Sequence, residues 1–304
     1  MNMEMLIRQR LLDTPALTTM LSTFETDMGG IPAIFYQKAP EDIQWQGDVQ
    51  YPKVVFSIDK FDNAERGTMG VLTVEIICSE TSTEPEEIEN AVRDTLEGVF
   101  FTPSEGETFS TKWRETSLIQ EAVSDREVLV NGALMNFDVY EYPSIKTSDP
   151  DPIAALNRYA VNWDKRLVVI GETELPPFFS PTRDNPAIYF SNRSLKGVLQ
   201  KNTDILIDGV IMVHIFAPKL RDRLEWLAEF HHCLLFDGEV ELLDGSPMFI
   251  QRTEHDFAAD EIRGQLRLEV YYGLLRKPEY AHTLENVSIG ETKPAIGIPW
   301  RQFQ

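Results

Sequence analysis

The sequence predicts an α+β fold built of two tandem repeats, each a mainly antiparallel β-sheet packed with one or two helices. Three observations predict it. Residues 70–77 and 209–216 both alternate, with Leu72, Val74 and Ile76 standing over Ile211, Val213 and Ile215, and a period of two marks a strand with one buried face. Residues 135–140 lie over 266–271 in the same way. Met135, Phe137 and Val139 match Leu266, Leu268 and Val270, while Asn136 and Asp138 match Arg267 and Glu269. Finally, the order strand, helix, strand, strand over residues 70–142 returns over 209–275, as expected of one supersecondary unit written twice. A chain of 304 residues holds two domains of ordinary size. The expected boundaries are 1–146 and 147–278, followed by an extended C-terminal arm over 279–304.

The elements follow in chain order. Residues 5–12 favour a helix; Asp13, Thr14 and Pro15 break or restart it, and Gly29-Gly30 closes the helical region. Residues 31–36 and 51–58 are β-rich and read as a hairpin with a long polar loop. The main helix of the first repeat lies within 80–103. Thr83 followed by Glu86, with Pro85 in the first turn, predicts its start by capping of free amides, and Ile88, Ala91, Val92, Leu96 and Val99 share one face. Strands at 108–119 and 128–142 finish the unit. Residues 144–152, broken by Pro150 and Pro152, read as the linker. The second repeat opens with a helix over 153–163 and a short strand over 165–170. Residues 185–191 match 51–57, and a helix over 220–236 is expected to turn Leu224, Leu227, Ala228 and Leu235 inward. Strands at 247–254 and 262–275 complete it.

Composition narrows the function. Cys78 and Cys233 are the only cysteines, each within an apolar pattern, so no disulfide framework is expected. No apolar run reaches the roughly 20 residues that span a bilayer, and no signal segment opens the chain, which places the expected site of synthesis and use in a cytoplasm. Net charge is −21, unsuited to holding nucleic acid by its phosphates. Residues 1–150 carry 11 Lys and Arg against 27 Asp and Glu, and residues 151–304 carry 17 against 22. The uneven excess reads either as solubility or as a specific acidic surface.

A search for chemistry finds little. His231, His232, Cys233 and His255 form the one ligand-like cluster, but adjacent helical residues point about 100° apart and cannot easily share an ion. Glu254, His255 and Asp256 lack a nucleophile in a recognisable setting, and no phosphate-binding loop or dinucleotide fingerprint occurs. No catalytic residue, metal or cofactor is therefore expected. On the outer face of the first strand, Thr73 and Glu75 of one copy become Met212 and His214 of the other, which fits a covered face. Beyond Pro278 the periodicity is lost, and Trp300 and Phe303 offer hydrophobic anchors for an arm laid on a neighbour or on its own domain. Met212, His214, Trp300 and Phe303 are the candidate interaction residues.

The first repeat resembles the tail-terminator or tail-completion proteins of tailed bacteriophages. The residues carrying the resemblance are 7–17, 51–56 and 71–76 leading into 86–99, together with the closing strand over 128–142, which in the second copy is residues 264–275. These are patterns of residue type, spanning most of 1–143 and, more loosely, 153–278. The resemblance implies a virion protein assembled in the host cytoplasm. It implies a homo-oligomeric ring, usually of six subunits, that caps the tail tube and joins it to head-tail connector proteins. Two copies per chain make three chains, a pseudo-six-fold ring, an equal expectation. DNA would pass through an acidic lumen without sequence-specific contact. The alternative expectation is an acidic binding module or assembly chaperone for a tail or baseplate component.

Overall fold

The computed structural model describes residues 1–275 other than 42–43, 46–49, 64–66, 80–81, 124–128, 145, 147, 201–203, 257–259 and 261. The first unit runs α1 (Met3–Leu12), α2 (Pro15–Thr18), β1 (Thr23–Thr26), β2 (Gly29–Pro32), β3 (Ile34–Tyr36), β4 (Lys53–Asn63), β5 (Thr68–Ser79), α3 (Pro85–Leu96), β6 (Phe100–Phe101), β7 (Thr108–Val123) and β8 (Leu129–Tyr142). The second runs α4 (Pro152–Trp163), β9 (Val168–Val169), β10 (Phe178–Phe179), β11 (Ala187–Gln200), β12 (Asp204–Phe216), α5 (Leu220–Asp237), β13 (Glu239–Glu241), β14 (Pro247–His255) and β15 (Leu266–Leu275). The fold is α+β, with mostly antiparallel sheets and few helices. Among the described residues no helix is long and apolar enough to cross a membrane.

The first sheet orders its strands β10-β6-β7-β8-β5-β4-β3, and the second β13-β14-β15-β12-β11-β9. Each ends in one parallel pair, β3 with β4 and β9 with β11. Registers also correspond. Gly70 pairs with Val139 and Gly209 with Val270; Val54 pairs with Ile76 and Ile188 with Ile215. A side chain at Gly70 or Gly209 would be crowded, though by different neighbours. A Cβ on Gly70 would stand 2.5 Å from the Asp59 carbonyl oxygen, and one on Gly209 would stand 2.9 Å from Val270. Bulges at Trp113/Glu115 and Gln120/Ala122 in β7, and at Asn192/Ser194 and Gly197/Leu199 in β11, add twist where these long strands run past the helices.

In the first unit, alternate residues Leu72, Val74 and Ile76 of β5 share a core with Ile88, Val92 and Leu96 of α3 and Leu6, Ile7 and Leu11 of α1. Asn2 starts α1 by accepting the Met5 N–H at 3.0 Å. In the second unit, Ile211, Val213 and Ile215 meet Leu156 and Ala160 of α4 and Trp226, Leu227, Phe230 and Leu234 of α5. Asp151 caps α4 through the Ile153 N–H.

Four local expectations are corrected. Residues 31–36 and 51–58 do not form a hairpin, because β3 and β4 run parallel. Their connection is far longer than the two to five residues of a hairpin loop, and it carries the buried Trp45, whose ring packs against Phe24 and Phe35. Gly29 and Gly30 do not end a helical region. They open β2, which pairs with β1 in a separate two-stranded sheet. Thr83 does not cap α3; the N-cap is Glu84, whose side chain makes no cap hydrogen bond, and Pro85 follows in the first turn. Finally, α5 buries Leu227 as expected but otherwise turns a different set of residues inward. Trp226 and Phe230 enter the core, where their rings lie 5.9 and 5.2 Å from Trp163, whereas Ala228 and Leu235 are exposed and Leu224 is half-buried. Large aromatic rings bury more area than Ala or Leu and so set the orientation.

Candidate interaction surface

The two units meet at an aromatic junction on the sheet faces turned away from the helices. Phe100 from β6 and Tyr140 and Tyr142 from β8 share a small core with Ile170, with Ala187 at the start of β11 and with Phe216 at the end of β12. The rings are packed edge to face or tilted: Phe100 to Phe216 at 4.9 Å, Phe100 to Tyr142 at 5.1 Å, Tyr142 to Phe216 at 5.5 Å and Tyr142 to Tyr189 at 5.3 Å. Such pairs are each worth about 0.5–1.5 kcal/mol beyond the area they bury.

The second unit also donates a strand to the first. In β10, Phe178 pairs with Phe101 and Phe179 with Phe100, and the Thr102 N–H donates to the Pro177 carbonyl at 3.1 Å. Phe178 thereby packs against the first unit's core, with the Arg10 guanidinium 6.0 Å from its ring centroid. Polar contacts fix the register. Lys112 pairs with Asp260 at 3.2 Å, and the Tyr189 hydroxyl donates to the Pro143 carbonyl at 2.9 Å. Burial pushes the Tyr189 hydroxyl up to about 12, with help from the Glu107 carboxylate, so it stays a donor throughout the neutral range. Glu141 is raised as well, by burial and then by Glu107. A cleft of about 480 Å³ follows the seam, with Arg93, Glu97 and Lys112 from the first unit and Phe216, Pro218 and Arg223 from the second among its walls.

His214 lies in this junction rather than on open surface. It is 4% exposed, its Nε2 is 2.9 Å from Ser191 Oγ, and its ring lies 5.5 Å from Tyr189. Met212, two residues earlier, is half-buried under the loop at Gly264. There the backbone has φ +86, and a Cβ would come within 3.0 Å of Met212. Trp300 and Phe303, with the whole arm over 279–304, lie outside the described residues.

The histidine cluster separates. His231 Nε2 is 2.7 Å from Thr253 Oγ1 and its ring is 6.4 Å from His255, while His232 is exposed and Cys233 Sγ accepts the Trp163 indole N–H at 3.0 Å. Burial lowers the pKa of His231, assisted by His255 and His232, and burial lowers that of His255. Glu254 is engaged by Arg267 at 3.3 Å. Cys78 is enclosed in the first core, and burial pushes its thiol up to about 11. Among the described residues no group of three or more His, Cys, Asp and Glu is placed to hold a metal. No protein-family model and no curated protein matches the chain.

Sequence reasoning missed Phe100, Tyr140, Tyr142, Phe178, Phe179 and Phe216 as junction residues. The available signal was aromatic residues on the polar-parity side of strands, at Tyr140 and Tyr142 beyond Asp138 and at Phe216 just past Ile215.

Proposed function

We propose that this protein is a structural component of a phage-type tail, a duplicated tail-terminator or tail-completion protein that works as a ring at the neck or tail end. The observation that carries the proposal is the junction. One unit completes the sheet of the other with β10 and buries aromatic residues against it, so two sheets of like strand order are already joined side by side within a chain. Corresponding registers at Gly70/Val139 and Gly209/Val270 support descent from one duplicated unit. A contact that is not two-fold symmetric, when repeated around an axis, closes a ring or runs on as a filament. A net charge of −21 lets DNA pass a channel wall without phosphate-neutralising contacts.

The test is imaging of the full chain incubated with assembled tail tubes. Caps seated at tube ends are expected; chains distributed at random along the tube or absent from it would contradict the proposal.

The uneven charge favours a second reading, an acidic module or assembly chaperone that holds a basic partner. That reading expects a one-to-one complex dissociated by salt, because exposed charges are screened beyond about 8 Å at physiological ionic strength.

A further inference from the structure

The junction inside the chain uses one face of each unit, and each unit has a counterpart of the face that the other uses. On the first unit the junction face is the outward side of β6–β8. Ser110 there stands opposite Tyr140, and Lys112 opposite Asp138. At the counterpart positions of β14 and β15, Phe249 stands opposite Tyr271 and Arg252 opposite Glu269. A tyrosine and a cation facing an acid thus recur, but the burial differs. Tyr140 is 9% exposed and Tyr142 4%, whereas Phe249 is 46% exposed, Tyr271 is half-buried and Arg252 is exposed. Lys112 reaches Asp260 across the junction; Arg252 has no ion pair among the described residues.

The complementary face recurs as well. Ala187 opposite Phe216, and Tyr189 opposite His214, hold the first unit; at the counterpart positions Lys53 stands opposite Ile77 and Val55 opposite Glu75. Val55, Ile77 and Glu75 are all partly exposed, whereas Lys53 is buried with its ammonium over the Tyr51 and Trp45 rings, so the open part of this face begins at Val55.

We propose that the outward face of the second sheet, centred on Phe249 and Tyr271, docks a second copy of this chain through the first-unit face that carries Val55, Ile77 and Glu75. The inference rests on the ring reading and names the contact that would close the ring. Charge fits the choice of occupant: Arg252 faces outward on one side, and Glu75 lies on the other, within the more acidic half of the chain.

The edges account for how this contact differs from the one within the chain. β6 is Phe100-Phe101 and receives β10, but β13 sets exposed Glu239 and Glu241 around Val240, and the Arg158 guanidinium donates to the carbonyls of Glu241 and Leu242. Charged edge residues and capped carbonyls discourage strand addition. Between β3 and β4, the described Trp45 stays with its own unit. Trp45 folds back to 4.9 Å from Phe24 and 5.9 Å from Phe35. Contact between copies is therefore face to face without an added strand, and weaker than the junction inside the chain.

The experiment uses three forms of the full chain, wild type, Phe249→Glu and Val55→Glu, with Leu235→Glu on the exposed side of α5 as a control. Circular dichroism melts verify folding, and sedimentation velocity over a hundredfold concentration range reads assembly. The wild type and the control are expected to assemble, and each face variant to need at least tenfold more protein to do so. Because the two faces differ, an equimolar mixture of Phe249→Glu and Val55→Glu keeps one intact contact and is expected to stop at a dimer. Folded face variants that assemble like the wild type would overturn this interface and leave the ring reading standing. A wild type that stays monomeric even beside tail tubes would overturn both.

Discussion

At the residue scale, the clearest titrating feature is the imidazole pair His231 and His255 between α5 and β14. Both have folded pKa values below the ordinary value of about 6.5, chiefly through burial, and the surroundings include His232, Asp256 and the Thr253 hydroxyl. A depressed histidine contributes stability that is complete above its unfolded pKa. That stability is lost as pH falls through this value, because the unfolded chain then takes up protons that the folded chain excludes. The thermal midpoint of the isolated protein is therefore expected to fall between pH 7 and pH 5, and a His231→Gln variant to show a shallower fall. A midpoint that rises over this interval would contradict the assignment. The choice of core residues on α5 offers a second check. Phe230→Ala is expected to cost about 3–5 kcal/mol in denaturant unfolding, since it empties a fully buried ring site, while Leu235→Lys on the exposed side changes stability by less than about 0.5 kcal/mol.

At the element scale, the sequence revealed the strands that bury alternate residues and hid the parts decided by long connections. β5, β12, β8 and β15 were legible because Leu72, Val74 and Ile76, like their counterparts from Ile211, each face a helix, and a period of two records that directly. The parallel pairing of β3 and β4 was not legible. Nothing local in residues 34–36 encodes direction, and the connection that returns parallel to β3 carries Trp45, which packs against Phe24 and Phe35. The orientation of α5 was legible only in part, because its core face combines Leu227 and Leu234 with Trp226 and Phe230, while its other leucines, Leu220, Leu224 and Leu235, lie outside it. The junction escaped for a related reason: β10 is two residues long and has no period to detect. Met212 and His214 were singled out because polar residues gave way to less polar ones, and for His214 the structure shows what covers it, the aromatic seam. Disrupting β10 checks the seam. Phe178→Asp with Phe179→Asp is expected to leave both sheets intact but replace one cooperative thermal transition with two, as the units lose their shared core. A single transition at the wild-type temperature would show that the strand contributes nothing to holding the units together.

At the scale of the whole molecule, two sheets of like strand order are joined by an aromatic junction and by the added strand β10, and the second sheet presents a counterpart of the contact face with Phe249 open to solvent. A net charge of −21 favours solubility of a chain that presents such a face, and it is compatible with the proposed role at a channel that DNA would pass. In the proposed ring, two units per chain would lower the number of chains needed to surround an axis: three chains would supply six sheets and six would supply twelve. The most direct measurement is the mass of single particles of the full-length wild-type protein by mass photometry, diluted from micromolar stock. The account predicts a discrete population at three or six chain masses that persists on dilution into the nanomolar range better than the Phe249→Glu variant. A population at one chain mass alone, at every concentration and with tail tubes added, would contradict it.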